Sequence, residues 1–218
     1  MRRFALAAAA ALLALAVAAT AAARDPRAET LRLNARDSRA ARAALIKPAD
    51  LRGDWQRTTS SAEDSVPSCS GYRPDFSRFT ITGKAAADYK TAIGEGLTSS
   101  AEVYASHADA TADYKLGTKP QVASCLAREI EKAAASDPTV QAKTLVAKQV
   151  AAPRIGERSA RYKLVLRFTG PAGSLPIYVD AIVFQKGRTL ALLMTVGVSR
   201  PITNGTALAR RMYSRASA

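Results

Sequence analysis

The sequence predicts an α+β domain in which helices pack against a mostly antiparallel sheet, in a sandwich-like arrangement. Two observations support this fold class. Residues 140–198 contain four segments of strand length separated by short turns, which predicts a C-terminal four-stranded meander. Two segments predicted to be helical precede the meander and one follows it. Helices that are segregated from an antiparallel sheet are typical of α+β architecture.

Residues 1–23 have the organisation of a secretory signal peptide. Arg2 and Arg3 precede an apolar run rich in Ala and Leu, and Ala21 to Ala23 provide an A-x-A cleavage site. We therefore predict a secreted, extracytoplasmic protein of the cell envelope. The alternative is an uncleaved anchor helix, although the run is shorter than the roughly 20 apolar residues of a membrane span. No later segment reaches that length, so no span is expected after cleavage.

Residues 24–48 are predicted to form a basic tether or a loosely docked helix. Ala and Arg dominate this segment, and its large apolar side chains are few. Such a segment can bury little apolar surface. We therefore expect a single disulfide-closed α+β domain over residues 49–218, with Trp55 as its first large aromatic residue.

The first half of this domain is predicted to contain three short strands and two helices. The strands are expected at 78–82, ending at Gly83, then at 86–92 and 99–104, and the helices at 106–116 and 120–134. The second helix has an apolar stripe with helical period, formed by Val122, Cys125, Leu126, Ile130 and Ala133. Cys125 is therefore expected on its buried face.

The meander gives the clearest pattern in the chain. Over residues 161–169, Tyr162, Leu164, Leu166 and Phe168 alternate with Arg161, Lys163 and Arg167, which predicts a half-buried antiparallel strand. The other strands are expected at 140–151, 174–185 and 188–198. The last of them is apolar on both faces, which predicts a central strand covered on both sides. A final helix is expected at 207–215.

Cys69 and Cys125 are the two cysteines of the chain. An even number of cysteines in an exported protein indicates a disulfide, and these two allow one intramolecular pairing. A metal site would need more thiolates or several histidines at close spacing, and the sequence has one histidine. We predict a structural disulfide, no metal site and no cofactor.

The chain is strongly basic, with 32 Lys and Arg against 18 Asp and Glu and a formal net charge of +14. Such a charge favours acidic cell-wall polymers, anionic lipid headgroups or nucleic acid as partners. Export makes nucleic acid the least expected of these. The alternative is a solvated basic surface with no specific partner.

No catalytic constellation is present in the sequence, so we predict a protein that is not an enzyme. His107 lies at the start of a polar helix and is expected to be a surface residue. No G-x-S-x-G nucleophile motif occurs, and the acidic residues are sparse and form no recognisable acid/base pair.

Asp180 is unusual because it lies in an otherwise apolar strand, with Tyr178 on the same face. A carboxylate there must be exposed, paired or functional. One interpretation is an ion pair with Arg161, Lys163 or Arg167 across the sheet. The other is a candidate ligand groove, in which Asp180 makes a polar contact and Tyr178 forms a flat amphipathic wall.

Three groups of residues also support a resemblance to a known family. They are Cys69 with the strand that ends at Val103-Tyr104, the helix start at 119–126, and Tyr178-Val179-Asp180 with the Gly187-Arg188 hairpin. Over residues 49–214 the chain resembles the extracellular sensor domain of actinobacterial Ser/Thr receptor kinases and the free-standing exported proteins built on that domain.

This resemblance implies a sheet with helices packed on it and a groove for a small ligand, similar in shape to photosystem P-protein-like sandwiches. Two features differ from the family. The kinase sensors typically have two disulfides, whereas this chain allows one, and no kinase is attached in this sequence, so signalling in cis is not expected.

These observations lead to two functional hypotheses. The first is an extracytoplasmic, non-catalytic binding or sensor-like domain for a small amphiphile, lipid or cell-wall fragment. The second is a structural or interaction protein of the cell envelope that binds acidic polymers through its basic surface, with residues 24–48 as the adhesive segment.

Overall fold

The computed structural model describes residues 25–59, 69–171 and 173–217, so the predicted signal peptide at 1–23 lies outside the described residues. Within them the α+β prediction is confirmed by an eight-stranded, mostly antiparallel sheet and four α-helices. The strands are β1 (Thr30–Leu31), β2 (Gln56–Thr58), β3 (Thr80–Lys90), β4 (Gly96–Tyr104), β5 (Gln141–Val150), β6 (Arg158–Gly170), β7 (Gly173–Lys186) and β8 (Thr189–Val198). The helices are α1 (Ala35–Ala44), α2 (His107–Gly117), α3 (Gln121–Ala134) and α4 (Gly205–Arg215).

The strand order along the sheet is β1-β3-β4-β8-β7-β6-β5, and β2 pairs with the end of β3. All paired strands are antiparallel except β1 and β3, which are parallel. Strands β5 to β8 form the predicted four-stranded meander. The prediction that 188–198 forms a central strand is also confirmed, because β8 lies between β4 and β7.

Helices cover the two faces of the sheet at different places. On one face, here called face one, α1 and α4 pack over β3, β4, β7 and β8 through small and apolar residues such as Ala41, Ala44 and Met212. On the opposite face, face two, α3 packs over β5 and β6 through Ala123 and Ala127. Helix α2 contacts β4, β7 and β8 at one end of the sheet. The resulting sandwich has offset outer layers.

The prediction that residues 24–48 form a tether or loosely docked helix is wrong for the part that the structure describes. Ala41 and Ala44 of α1 are fully buried in the core of face one, and Leu45 and Ile46 continue that core. Small side chains allow the helix to approach the sheet closely, so its burial depends on alanine rather than on large apolar residues. The domain therefore includes residues before 49.

Gly83 was expected to end a strand, but it lies inside β3. A Cβ atom at this position would overlap the backbone carbonyl of Asp37 in α1. Glycine is required here because the backbone of the helix passes directly over the strand. The two strands predicted at 78–82 and 86–92 are therefore one strand, with an irregular register between Ile81 and Gly83.

The predicted disulfide between Cys69 and Cys125 is present, with Cα atoms 5.6 Å apart. Cys125 is fully buried on the inner side of α3, as the helical period predicted. The bond fastens the segment that follows Cys69 to this helix. Among the described helices, none is both long and apolar enough to cross a membrane.

Candidate functional site

Tyr178 and Asp180, the candidate ligand residues predicted from the sequence, lie on face one of the sheet. Side chains alternate along a strand. Val179 belongs to the core of face two, whereas Ile182 belongs to the core of face one. Tyr178 and Asp180 therefore point to the same side as Ile182, next to the region that α1 and α4 cover.

The carboxylate of Asp180 forms a bidentate ion pair with Arg161 on the neighbouring strand. The Nε atom of Arg161 lies 2.8 Å from Oδ1, and one of its terminal nitrogens lies 2.5 Å from Oδ2. The hydrogen bond to Asp180 raises the pKa of Arg161 above its ordinary value. Arg161 is one of the three alternative partners expected from the sequence, and both carboxylate oxygens of Asp180 accept a hydrogen bond from it.

The side chains that surround this ion pair on face one are mainly basic. Helices α1 and α4 pack over β3, β4, β7 and β8, which leaves the face-one side chains of β5 and β6 accessible. We name this surface the basic face. It consists of the exposed residues Lys143, Lys148, Lys163 and Arg167 and the half-buried Arg161.

Four of these cations oppose one another across β5 and β6. Lys143 is paired in register with Arg167, and Lys148 is paired with Lys163. Residues in such positions have Cβ atoms about 5 Å apart, and like charges there destabilise the sheet. Asp180 is the only carboxylate in β5, β6 and β7 and is already bound by Arg161. Asp180 is therefore the single carboxylate that these strands offer to the basic face, where it binds Arg161 and is also opposite Lys163 in register.

Apolar groups lie between these cations. Val165 is opposite Val146 on one side and Tyr178 on the other, and all three are half-buried. The aliphatic stems of the lysines extend this apolar area, since lysine can cover apolar surface while its ammonium group stays in water. The surface can therefore contact anionic groups and the apolar parts of a ligand together.

His107 is a surface residue, as predicted. It is the first residue of α2, its side chain is 56% exposed, and its Nε2 atom lies 2.8 Å from Oε2 of Glu157. The other carboxylate oxygen of Glu157 accepts a hydrogen bond from the backbone N–H of Gly187. Histidine and glutamate thus link α2 to the β7–β8 hairpin at the surface.

The structure also brings together a group of carboxylates that the sequence pattern did not reveal. The hydroxyl of Tyr104 donates a hydrogen bond to Asp113 at 2.8 Å and lies 3.2 Å from Oε2 of Glu102. Burial raises the pKa of Asp113 to about 8, and burial also raises the pKa of Glu29, which is hydrogen-bonded to Asp113. This carboxyl cluster joins the N-terminal segment to β4 and α2.

Sequence reasoning missed the carboxyl cluster because Glu29, Glu102 and Asp113 belong to three separate segments that only the fold brings together. In the part of the chain that the structure describes, no group of three or more His, Cys, Asp or Glu side chains is arranged to hold a metal ion. Comparisons with protein-family models and with curated proteins found no match for this chain.

Proposed function

We propose that this protein is an extracytoplasmic, non-catalytic binding protein that adheres to acidic polymers of the cell envelope through the basic face. The observation that supports the proposal most directly is the opposed pairing of Lys143 with Arg167 and of Lys148 with Lys163. Each pairing is unfavourable in the isolated domain, and a bound polyanion would convert it into a favourable contact. The predicted signal peptide and the disulfide are compatible with an extracytoplasmic location.

The position of the basic face also changes which segment is expected to adhere. Residues 24–48 were the adhesive segment in the sequence-based hypothesis, but the described part of that segment is packed into the domain. Its exposed arginines, including Arg36 and Arg39 on α1, lie on a helix that covers the other part of face one. Strands β5 and β6 present cations along an exposed sheet surface, which suits an extended partner.

The test compares two double variants with equal charge loss. K148A/K163A removes one opposed pair from the basic face, and R36A/R39A removes two exposed charges from α1. Binding of the domain from residue 24 onward to a glycerol-phosphate polymer is measured at several salt concentrations. We expect K148A/K163A to weaken binding about tenfold and to reduce its salt dependence, because fewer counterions are released on binding.

R36A/R39A should stay within about twofold of the wild type in the same assay, since screening limits the effect of distant surface charges. The charge-preserving variant K148R/K163R should retain binding. If R36A/R39A weakened binding as much as K148A/K163A, adhesion would depend on net charge or on the α1 segment, and the proposal for the basic face would be rejected.

A second candidate function is binding of a small amphiphile, lipid or cell-wall fragment next to Tyr178 and Asp180. The half-buried apolar strip of Val146, Val165 and Tyr178 favours it, because a ligand with an anionic group and a short apolar part would match both features. The test is thermal stabilisation of the domain by anionic and by neutral lysolipids. Stabilisation by anionic lysolipid that is lost in Y178A would support it, and equal stabilisation of both proteins would contradict it.

A further inference from the structure

A separate cleft lies beside the disulfide, between the segment at 71–78 and the junction of α2 and α3. Its volume is about 390 Å³, which is within the range of small-ligand sites. Its lining includes Tyr72, Arg73, Arg78, Leu116, Lys119 and Gln121. These residues belong to loops and helix ends, and none of them is part of the basic face.

The charged groups that line this cleft are mainly cationic. Arg73, Arg78 and Lys119 are exposed, and within the described residues the side chains of Arg73 and Lys119 make no ion pair or hydrogen bond. Arg78 lies with its guanidinium 4.9 Å from the centre of the Phe79 ring, which fixes its position but leaves its charge. Asp75 is the one carboxylate in the lining, so three positive charges face one negative charge.

Nothing in the neighbouring turn of α3 offsets this charge, because the first turn of that helix contains no acidic residue. The carboxylate of Asp75 accepts a hydrogen bond from the backbone N–H of Ser77 at 2.9 Å, and the side-chain hydrogen bond from Ser77 together with this backbone bond lowers the pKa of Asp75. The carboxylate of Asp75 therefore stabilises the local turn at residues 75–77. The lining of the cleft therefore keeps an excess of positive charge.

The walls of the cleft are held in place before any ligand binds. Cys69 and Tyr72 exchange two backbone hydrogen bonds of 2.9 Å, and Cys69 is bonded to Cys125 of α3. The hydroxyl of Tyr72 donates to the carbonyl of Leu116 at the end of α2, and the N–H of Phe76 donates to the carbonyl of Arg27. A wall that is already ordered reduces the entropy lost on binding.

From this combination of volume, charge and order, we propose that the cleft binds the phosphoryl group of a small anionic ligand, with Arg73 and Lys119 as the main contacts. Arginine can bind two phosphate oxygens at once, and lysine adds a second charge-assisted hydrogen bond. The site is independent of the basic face and does not depend on the proposed adhesion. The phosphoryl group can come from a free phosphate ester or from the end of a phosphate-containing polymer.

Calorimetric titration of the domain from residue 24 onward tests this proposal, with inorganic pyrophosphate as the probe at low ionic strength. Saturable binding at one site is expected for the wild type. R73A/K119A should lose at least about tenfold in affinity, because two charge-assisted contacts are removed. The matched variant R36A/R39A loses the same charge from α1, outside both the cleft and the basic face, and should remain within about twofold.

Three results would overturn the proposal: no saturable binding of pyrophosphate by the wild type, equal weakening in both double variants, or undiminished binding in R73A/K119A. Chemical-shift changes on titration of the wild type provide a second measurement that needs no variant. They should be confined to residues around 71–78 and 116–121, and changes confined to β5 and β6 would contradict the proposal. Glycerol 3-phosphate and a glycerol-phosphate polymer then distinguish the two sources, with glycerol as the neutral control.

Discussion

Face one has two halves, the half covered by α1 and α4 and the uncovered basic face, and the charged residues of these halves differ in their partners. Under α1 and α4, arginines are bound by buried carboxylates: Asp50 pairs with Arg215 through two contacts of 2.6 Å, and Asp37 pairs with Arg188 at 3.2 Å. On β5 and β6, by contrast, lysines and arginines oppose one another without acidic partners from the same strands.

Acidic residues are therefore present where helices pack on the sheet. The carboxylates of Asp37 and Asp50 are directed to the helix-covered half, where they hold α1 and α4 in place. The hydrogen bond from Thr82 lowers the pKa of Asp37 to about 2, and the bonds from Arg215 lower that of Asp50 to about 2. On the half of face one that no helix covers, by contrast, Asp180 is the single carboxylate that β5, β6 and β7 supply.

The largest effect is expected from removal of an aromatic side chain in the covered half. Phe184 is fully buried in the core of face one, whereas Val165 lies half-buried on the basic face. F184A should lower the free energy of unfolding by about 3–5 kcal/mol, because it leaves a cavity. V165A should cost about 1 kcal/mol or less. Urea unfolding measures the free energy of unfolding of both variants, and similar losses would contradict the difference in burial between these two positions.

A smaller loss is expected when the central carboxylate of the covered half is neutralised. Asp50 is buried and bound by Arg211 and Arg215, so D50N leaves two guanidinium groups without their partner. We expect a loss of about 2 kcal/mol, which is below the value for fully buried pairs because both arginines are partly exposed. D54N, at an exposed position nearby, is the control and should change stability by about 0.5 kcal/mol or less.

The same carboxylates make the covered half sensitive to acid. The pKa values of Asp37 and Asp50 are about 2, against an ordinary value of 3.8. Both groups bind protons more weakly in the folded state, so their contribution is present above pH 3.8 and is lost as the pH falls towards 2.

Amide hydrogen exchange, measured from pH 5 down to pH 2.5 with correction for the intrinsic rates, should show this loss. Protection of α1 and α4 should decrease before protection of β5 and β6. D37N/D50N should remove most of the difference between the two regions. Simultaneous loss of protection in the wild type would show that the domain responds to acid as one cooperative unit.

The smallest effect on stability is expected from reversal of one opposed charge. K148E places a carboxylate opposite Lys163, which should stabilise the sheet by about 0.2–1 kcal/mol. It should also weaken polyanion binding if the basic face is the binding surface. K90E changes the net charge equally, but Lys90 is paired with Gly96 and Gln56. Thermal unfolding should show a higher unfolding temperature for K148E than for the wild type, and no such increase for K90E.

Local patterns predicted the meander because its strands alternate with period two. The side on which Arg161, Lys163 and Arg167 lie was predicted in the same way. The opposition of Arg167 to Lys143 and of Lys163 to Lys148 was not predicted, because the register of β5 depends on an irregularity between Thr144 and Val146. A register shift of one residue moves every side chain of a strand to the other face of the sheet. The local sequence pattern of β5 does not predict where such a shift occurs.

Two other features could not be predicted for a different reason. The packing of α1 depends on the fit between Ala41, Ala44 and a strand that contains Gly83, and small residues give little hydrophobic signal. The cleft beside the disulfide is formed by Arg73 and Lys119, which are distant in the sequence and become neighbours only when the segment after Cys69 is fastened to α3. The cysteine count predicted that bond, but not which side chains it would bring together.

The disulfide also determines how the protein would respond to a pulling force. Cys69 and Cys125 are separated by 56 residues, and the closed loop contains β3, β4 and α2. Even after complete unfolding, this loop cannot be extended, so the stretched chain would be shorter by roughly 190 Å at 3.3–3.6 Å per residue. If the protein were pulled between a polymer and a second attachment, the loop would not lengthen under load. Reduction of the Cys69–Cys125 bond would then release the length of this loop.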